Sequence, residues 1–475
     1  MQTTLLLAVI VLASCAVAQP ARPPLAPVVE AEEEVFTYTP ADNGSDPMWC
    51  WSSTCLVRSG DELFASGLET IPNVKPLNNV RWTLYRRTPS GWKLVQTDPK
   101  DRTREPCPLA AFPDGRLLMS VNPTLLTDPQ QQGGGPARPE ILQFNASDPS
   151  APFTTTLPQW SGKPVFCEHS YRTFTADALT GDCLLLNNLG NDGSHWALVD
   201  RAGATVRSGY LFWPDLAPGD VEPYGAVHCR ANYPTVALQG RAVHFCGAAA
   251  FDNWDRVKDP VAHKERMGRQ WGNRWRRLYY TWTPDLSKQD FAPWIEVSNT
   301  MATGGWLFPG DLYVAPDGTV HILWFEAPID LRLRDKYFPD IKTRLHSIMY
   351  AQVRDGRVLL KKPLLQGQLG SPDIPQGRPR FQVTPDGRLI VCYSLLNIAA
   401  DGKRTYDNWV SELAADGTLG TPVKLPLQYP LSGFFTTTPR GGSQPSDTLE
   451  LLGPRVGSQY AIHYARIRLY PSEKQ

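Results

Sequence analysis

The chain has 475 residues, and its 47 Lys and Arg balance 47 Asp and Glu, so its formal net charge is +0. That balance excludes a global field that would draw in nucleic acid or an anionic membrane, and any acidic ligand must be recognised by local groups. Pro 44, Gly 37, Trp 15, Tyr 17 and Phe 17 suit many short strands joined by tight turns better than long helices, at a length one large β domain can reach.

The first segment, MQTTLLLAVIVLASCAVAQP, reads as a signal peptide over residues 1–18, with an apolar core and the small-residue site Ala16, Val17, Ala18. No Lys or Arg precedes that core. LASC, ending at Cys15, also has the form of a lipoprotein cleavage box, the alternative being a chain lipid-anchored at an outer membrane through Cys15. The expectation is a secreted or periplasmic protein, since no later stretch approaches the ~18 consecutive apolar residues that span a bilayer. Residues 19–35, Pro-rich and then acidic, read as a flexible leader to one domain over 36–475. Eight cysteines remain after Cys15, an even number that permits disulfides, with Cys50 and Cys55 the closest pair.

From Phe36 onward one pattern recurs: a strand, a turn built on Asp-Gly or Gly, and a second strand of alternating apolar residues. FPDGRLLMSV, LQGRAVHFCG, APDGTVHILWF, VRDGRVLLKK and TPDGRLIVCYS are examples. Asp-Gly between such alternations signals a hairpin, because glycine accepts the positive φ of the turn. Two hairpins per unit give four-stranded antiparallel blades, and the mature length predicts an all-β fold, a β-propeller of roughly seven blades. QYAIHYARIRLY beside EEVFTYTP would close the ring and hide both edges. Two segments break the rhythm: the loop DPQQQGGGPARPE, and the charged, aromatic insertion starting at FDNWDRVKD, with room for a short helix.

HCRANYPTVALQGRAVHFCG decorates one predicted hairpin with two histidines, two cysteines and an arginine. Strand alternation puts His228, Arg230 and Asn232 on one face and Cys229, Ala231 and Tyr233 on the other. A solvated face is the bland account of such a polar row; the mouth of a propeller channel is the functional one. Cys167 and His169 in FCEHSYRTF, and His244 and Cys246 in AVHFCG, are each two apart. Two such strands brought together would offer a Cys₂His₂ zinc set, with disulfides or buried thiols as the alternatives. The expected structural zinc draws on Cys167, His244 and Cys246, with Cys229 or His228 as a further ligand. Trp271, Trp275, Arg276, Arg277, Tyr279 and Tyr280 could stack on sugar rings and pair with carboxylate or sulfate, half of them being core. The sequence has no phosphate-binding Gly loop, no H-E-x-x-H and no G-x-S-x-G. Glu105, Asp311 and Glu326 are candidate acids for paired-carboxylate hydrolysis that spacing does not rank.

The PDG hairpins, with RRLYYTWTPD and GDLYVAPDGTVHILWFE, resemble the sialidase-like propellers with BNR-type repeats. The run from FCEHSYRTF through CRANYP to RRLYYTW looks most like the seven-bladed ulvan lyases. The resemblance implies β-elimination on a uronic-acid polysaccharide, sulfated forms included, with arginine on the carboxylate, histidine and tyrosine moving protons, and a zinc held by His and Cys in some members. It assigns Arg230 to the carboxylate and His169 to proton transfer, with Tyr224 or Tyr210 as the tyrosine. His228, Asn232, Arg277, Tyr279, Tyr280 and Tyr210 are the expected substrate contacts. The Arg-Ile-Pro motif of true sialidases is missing. A sialidase-like glycoside hydrolase and a non-catalytic glycan- or protein-binding propeller are the competing functions.

Overall fold

The computed structural model describes residues 23–99, 102–131, 135–190, 192–216, 228–249, 274–399 and 401–471. Seven four-stranded antiparallel sheets follow one another along the chain. Blade 1 begins at Leu56–Ser59, blade 2 at Leu109–Ala111, blade 3 at Thr173–Ala176 and blade 4 at Asn232–Gln239. Blade 5 begins at Gly304–Val314, blade 6 at Ile374–Val383 and blade 7 at Phe435–Thr436. These first strands pack side by side in a closed ring around the axis. A separate apolar cluster fills each of the seven interfaces between neighbouring blades. No helix of the described residues is long and apolar enough to cross a membrane.

The last blade is closed by the first strand of the protein, Val28–Thr37, which pairs antiparallel with Ala461–Arg468. The first strand therefore starts at Val28, ahead of the expected boundary at Phe36. Composition alone made the acidic run look too polar to pack, but its carboxylates have partners. Glu30 meets Arg466 and Arg468, Glu33 meets Arg87 at 2.7 Å, and Glu32 accepts the N–H groups of Gln428 and Tyr429.

The Asp-Gly hairpins fall where their spacing puts them. Asp317-Gly318 and Asp386-Gly387 join the first two strands of blades 5 and 6, while Asp355-Gly356 and Asp416-Gly417 join the last two. Asp355 and Gly356 have φ of 49° and 70°, the double left-handed geometry of a two-residue hairpin. Strand alternation places all four turns on one face of the ring. The segments leading into the first strands, and the links between second and third strands, occupy the other face.

One of those links, residues 38–55, crosses the axis. Arg380 donates to the Trp51 carbonyl, Arg440 to that of Ser52, the Phe174 N–H to Ser53 Oγ, and Thr54 Oγ1 to the Thr436 carbonyl. Arg440 also forks onto buried Asp311, at 3.1 and 2.5 Å. These bonds anchor Trp49 and Trp51 at the centre of the ring.

Two histidines brace the blade interfaces on the hairpin face: His244 Nδ1 lies 2.7 Å from Tyr280 Oη, and His321 Nδ1 lies 2.7 Å from Tyr350 Oη. Burial pushes both imidazoles down to about 4, and it lowers His195, His346 and His463 as well. An unfolded chain takes up these protons near the ordinary histidine value of about 6.5. Between that pH and about 4 the unfolded state binds more protons, so stability must fall as pH drops through this window. His244 alone should contribute a loss of roughly 1–3 kcal/mol. Thermal unfolding from pH 7 to 4.5 checks this, and a melting temperature that stays level down to pH 5 contradicts it.

Candidate functional site

On the face opposite the Asp-Gly hairpins, the segment leading into blade 3 carries His169, Ser170, Tyr171 and Arg172 against the link into blade 2, which carries Glu105. The Glu105 carboxylate is fully buried and accepts the Ser170 N–H at 2.8 Å and the Ser170 hydroxyl at 3.1 Å. His169 Nδ1 stands 3.2 Å from Glu105 Oε1, with the imidazole partly open. Burial alone would raise Glu105, but the bond and charge of His169, the charge of Arg172 and the Ser170 N–H outweigh it and hold the carboxyl below its ordinary value. Arg172 is itself buried, its Nη2 donating to the carbonyls of Glu105 and Pro106.

Aromatic rings surround the histidine. Trp49 lies 5.1 Å from His169, 4.9 Å from Tyr171 and 5.7 Å from Tyr233, between ring centroids. His169 and Tyr171 are 4.6 Å apart, and Tyr171 and Tyr233 are 5.3 Å apart, edge to face. Both tyrosines have left-handed backbones, with φ of 42° and 47°. A bulky side chain adopts that conformation only where its surroundings enforce it, and such strain gathers at functional sites. At Tyr233 the cause is a bulge: blade 4 pairs Asn232 with Ala248 and next Thr235 with Cys246, leaving Tyr233 and Pro234 outside the regular ladder.

Arg230 completes the group, its guanidinium carbon 4.9 Å above the Tyr171 ring. Its Nε is buried without an acceptor, and no carboxylate among the described residues lies within ion-pair distance. Burial raises Tyr171 above the ordinary phenol value while the Arg230 charge opposes that rise, so Tyr171 holds its proton at neutral pH.

The structure thus brings together His169 and Arg230 of the expected catalytic residues; Tyr224 lies outside the described residues, as do residues 251–273 of the insertion, Trp271 among them. The tyrosine beside His169 in this cluster is Tyr171, which sequence reasoning missed although it stands two residues after His169. Asn232 sits beside the cluster, its Nδ2 donating to the Arg230 carbonyl. Tyr210 is elsewhere, against His195 at 4.8 Å and Phe212 at 4.7 Å. His228 pairs with Asp215 at 3.1 Å. Arg277, Tyr279 and Tyr280 are blade-4 interior: Arg277 bonds Glu296 at 2.9 Å, Tyr279 packs on Cys229 and Ala249, and Tyr280 holds His244. Side-chain alternation on a real strand put them there, not at the mouth.

The expected zinc set is not assembled. Cys167 is on the His169 face, His244 lies near the opposite face, and Cys229 and Cys246 are buried in different apolar clusters. Among the described residues no three His, Cys, Asp or Glu side chains are placed to share a metal ion. No disulfide joins any two of the eight described cysteines, so the disulfide alternative is not realised among them either. Of the candidate acids, Glu105 serves His169, Asp311 is locked to Arg440, and Glu326 accepts from Ser298 Oγ and Trp324 Nε1.

No protein-family model and no curated protein matches the sequence. Among solved structures, the chain is similar to an ulvan lyase of polysaccharide lyase family PL25 bound to -[GlcA(1-4)Rha3S]-. The TM-score is 0.51 and the identity 11%, covering 94% of this chain and 96% of that one. It is also similar to the polysaccharide lyase Uly1, with TM-score 0.49, identity 11% and coverage of 93% and 94%. An α-L-arabinanase from Penicillium chrysogenum, complexed with arabinobiose, matches with TM-score 0.41, identity 11% and coverage of 93% and 98%. The first of these likenesses shows that the seven-bladed propeller is shared.

Proposed function

We propose that this chain is an exported polysaccharide lyase that cleaves a uronic-acid-containing glycan by β-elimination. The observation that carries the reading is Arg230: a guanidinium without a carboxylate partner among the described residues, held over Tyr171 and next to the His169–Glu105 pair. Such an arginine can fork onto the uronate carboxylate, and fixed positive charge there stabilises the enolate that forms when the neighbouring carbon loses its proton. The Glu105 carboxylate 3.2 Å from Nδ1 favours the proton on that nitrogen, which leaves Nε2 as the basic nitrogen of His169. Nε2 takes the α-proton, the electron pair forms the new C=C bond, the C–O bond to the leaving sugar breaks, and Tyr171 gives its proton to the departing oxygen. The imidazolium and the phenolate then return to their starting forms by proton exchange with water.

The hydrolase reading is weaker at this site, because Glu105, Asp311 and Glu326 are each committed to protein partners. A panel of polyuronates, with ulvan and its desulfated form among them, separates the functions. A lyase leaves an unsaturated uronyl end that absorbs in the ultraviolet. New reducing ends without that absorbance mean hydrolysis, and an intact polymer means a binding propeller; either result overturns the proposal.

A further inference from the structure

The site contains a second arginine that the elimination does not use. In blade 6 the first strand pairs Gln376 with Ser394 and next Arg380 with Cys392, so Gly377, Arg378 and Pro379 bulge from the ladder. Gly377 has φ of 70°, and Pro379 has no N–H to leave unpaired. The bulge sends Arg378 among the central rings, its guanidinium carbon 3.9 Å from the Trp51 centroid and 3.7 Å from that of Phe308. It also lies 5.6 Å from Tyr233. Rings at this distance cover the flat faces of a guanidinium and leave its N–H edge as the available contact. Among the described residues nothing pairs with that edge: Nη1 is buried without an acceptor, and no carboxylate is within ion-pair distance. Burial pushes the Arg378 guanidinium well below its ordinary value, with Arg380 adding to this and Tyr233 and Asp46 opposing it. A charge so desolvated and unpaired is costly, and an incoming oxyanion would remove the cost.

An open cavity of about 260 Å³ lies at this arginine, lined by Trp51, Trp306, Phe308, Phe325, Gln376 and Ser432 among others. The rings supply apolar surface for the C–H face of a sugar, and Gln376 and Ser432 supply hydrogen bonds for its hydroxyls. Arg378 is linked to the proposed catalytic group through packed rings. From Arg230 to Tyr171, Tyr171 to Tyr233 and Tyr233 to Arg378 the steps are 4.9, 5.3 and 5.6 Å, a span within reach of a short oligosaccharide.

Resting on the reading of Arg230 as the uronate anchor, we infer that Arg378 forms a second oxyanion subsite, for a sulfate ester or carboxylate on a sugar flanking the uronate. The chain then selects glycans with two anionic groups at a fixed separation, one at each guanidinium. A glycan with only the reacting uronate leaves the buried Nη1 of Arg378 without an acceptor, so the subsite discriminates by penalty as well as by attraction.

Binding titrations of Arg378→Gln and of the unmodified protein test this, using ulvan oligosaccharides, their desulfated counterparts and oligogalacturonates. The unmodified protein is expected to prefer the sulfated over the desulfated form, or the oligogalacturonate over the desulfated form, by about 10- to 100-fold. Whichever preference appears names the flanking anion, and in Arg378→Gln it should collapse toward unity. Arg378→Lys keeps the charge but not the fork and should retain only part of the preference, which provides the test if the glutamine variant does not fold. An undiminished preference in either folded variant overturns the inference, as does equal weakening on all three ligands, no preference in the unmodified protein, or no binding of any of them. Because binding is read directly, an Arg378-dependent preference without ultraviolet-absorbing product rejects the lyase reading and keeps the subsite. Product formation without that preference does the reverse.

Discussion

Arg230→Ala is expected to lower turnover on the uronate polymer about 10²–10³-fold, the loss typical of removing one preorganised donor from a developing oxyanion. Arg230 also meets the ground-state carboxylate, so KM should rise as well, and the deficit in kcat/KM should exceed that in kcat. Stability should change little. Arg230 has no ion pair to lose among the described residues, and its stacking on Tyr171 is worth roughly 0.5–1 kcal/mol. Arg230→Lys should recover only part of the rate, since an ammonium does not reproduce the planar fork. Steady-state kinetics beside thermal unfolding check both halves. A folded Arg230→Ala protein with near-normal turnover would refute the assignment of the carboxylate site.

The fold was legible because its signals are local. Asp-Gly turns between alternating apolar residues report hairpins one at a time, and their spacing reports the blade. Pairing of the first strand with the last was likewise legible from two apolar alternations at the chain ends. Its start was misplaced because composition counts Glu30, Glu32 and Glu33 as unpackable, while Arg87, Arg466 and Arg468 lie far away in sequence.

Residues of the candidate site were legible only where a polar residue stood in an odd place, as His169 and Arg230 did. Alternation separated Arg230 from Tyr233, but the Tyr233-Pro234 bulge returns that ring to the same cluster. Regular alternation likewise takes no account of the left-handed backbone at Tyr171. The expected zinc ligands are not brought together for a related reason. Alternation tells which side of its own strand a residue takes, but not which strands meet, and Cys167 and His244 belong to opposite faces of the ring. Nothing in PQGRPRF marks Arg378, whose importance comes from rings supplied by the axial segment and blade 5.

The second large loss is expected at His169. His169→Ala removes the proposed base and should cost about 10²–10⁴ in kcat, the usual worth of a positioned proton acceptor. Added imidazole should restore part of that rate, because the space left beside Trp49 and Tyr171 can admit a small base; a purely structural role would not respond to it. Glu105→Gln tests the positioning partner. The amide keeps the shape and can still accept from Ser170, but it has no negative charge to stabilise the imidazolium as it forms. Substrate does not reach the buried Glu105, so kcat should fall while KM holds. The substitution also removes the charge that faces buried Arg172, so the variant's unfolding must be measured alongside its rate. Tyr171→Phe separates base from acid: it too should lower kcat, but imidazole should not restore it, because the missing group is a proton donor at the leaving oxygen. If His169→Ala instead keeps most of its activity while Tyr171→Phe abolishes it, the tyrosine is both base and acid, and the His169–Glu105 pair serves to orient it.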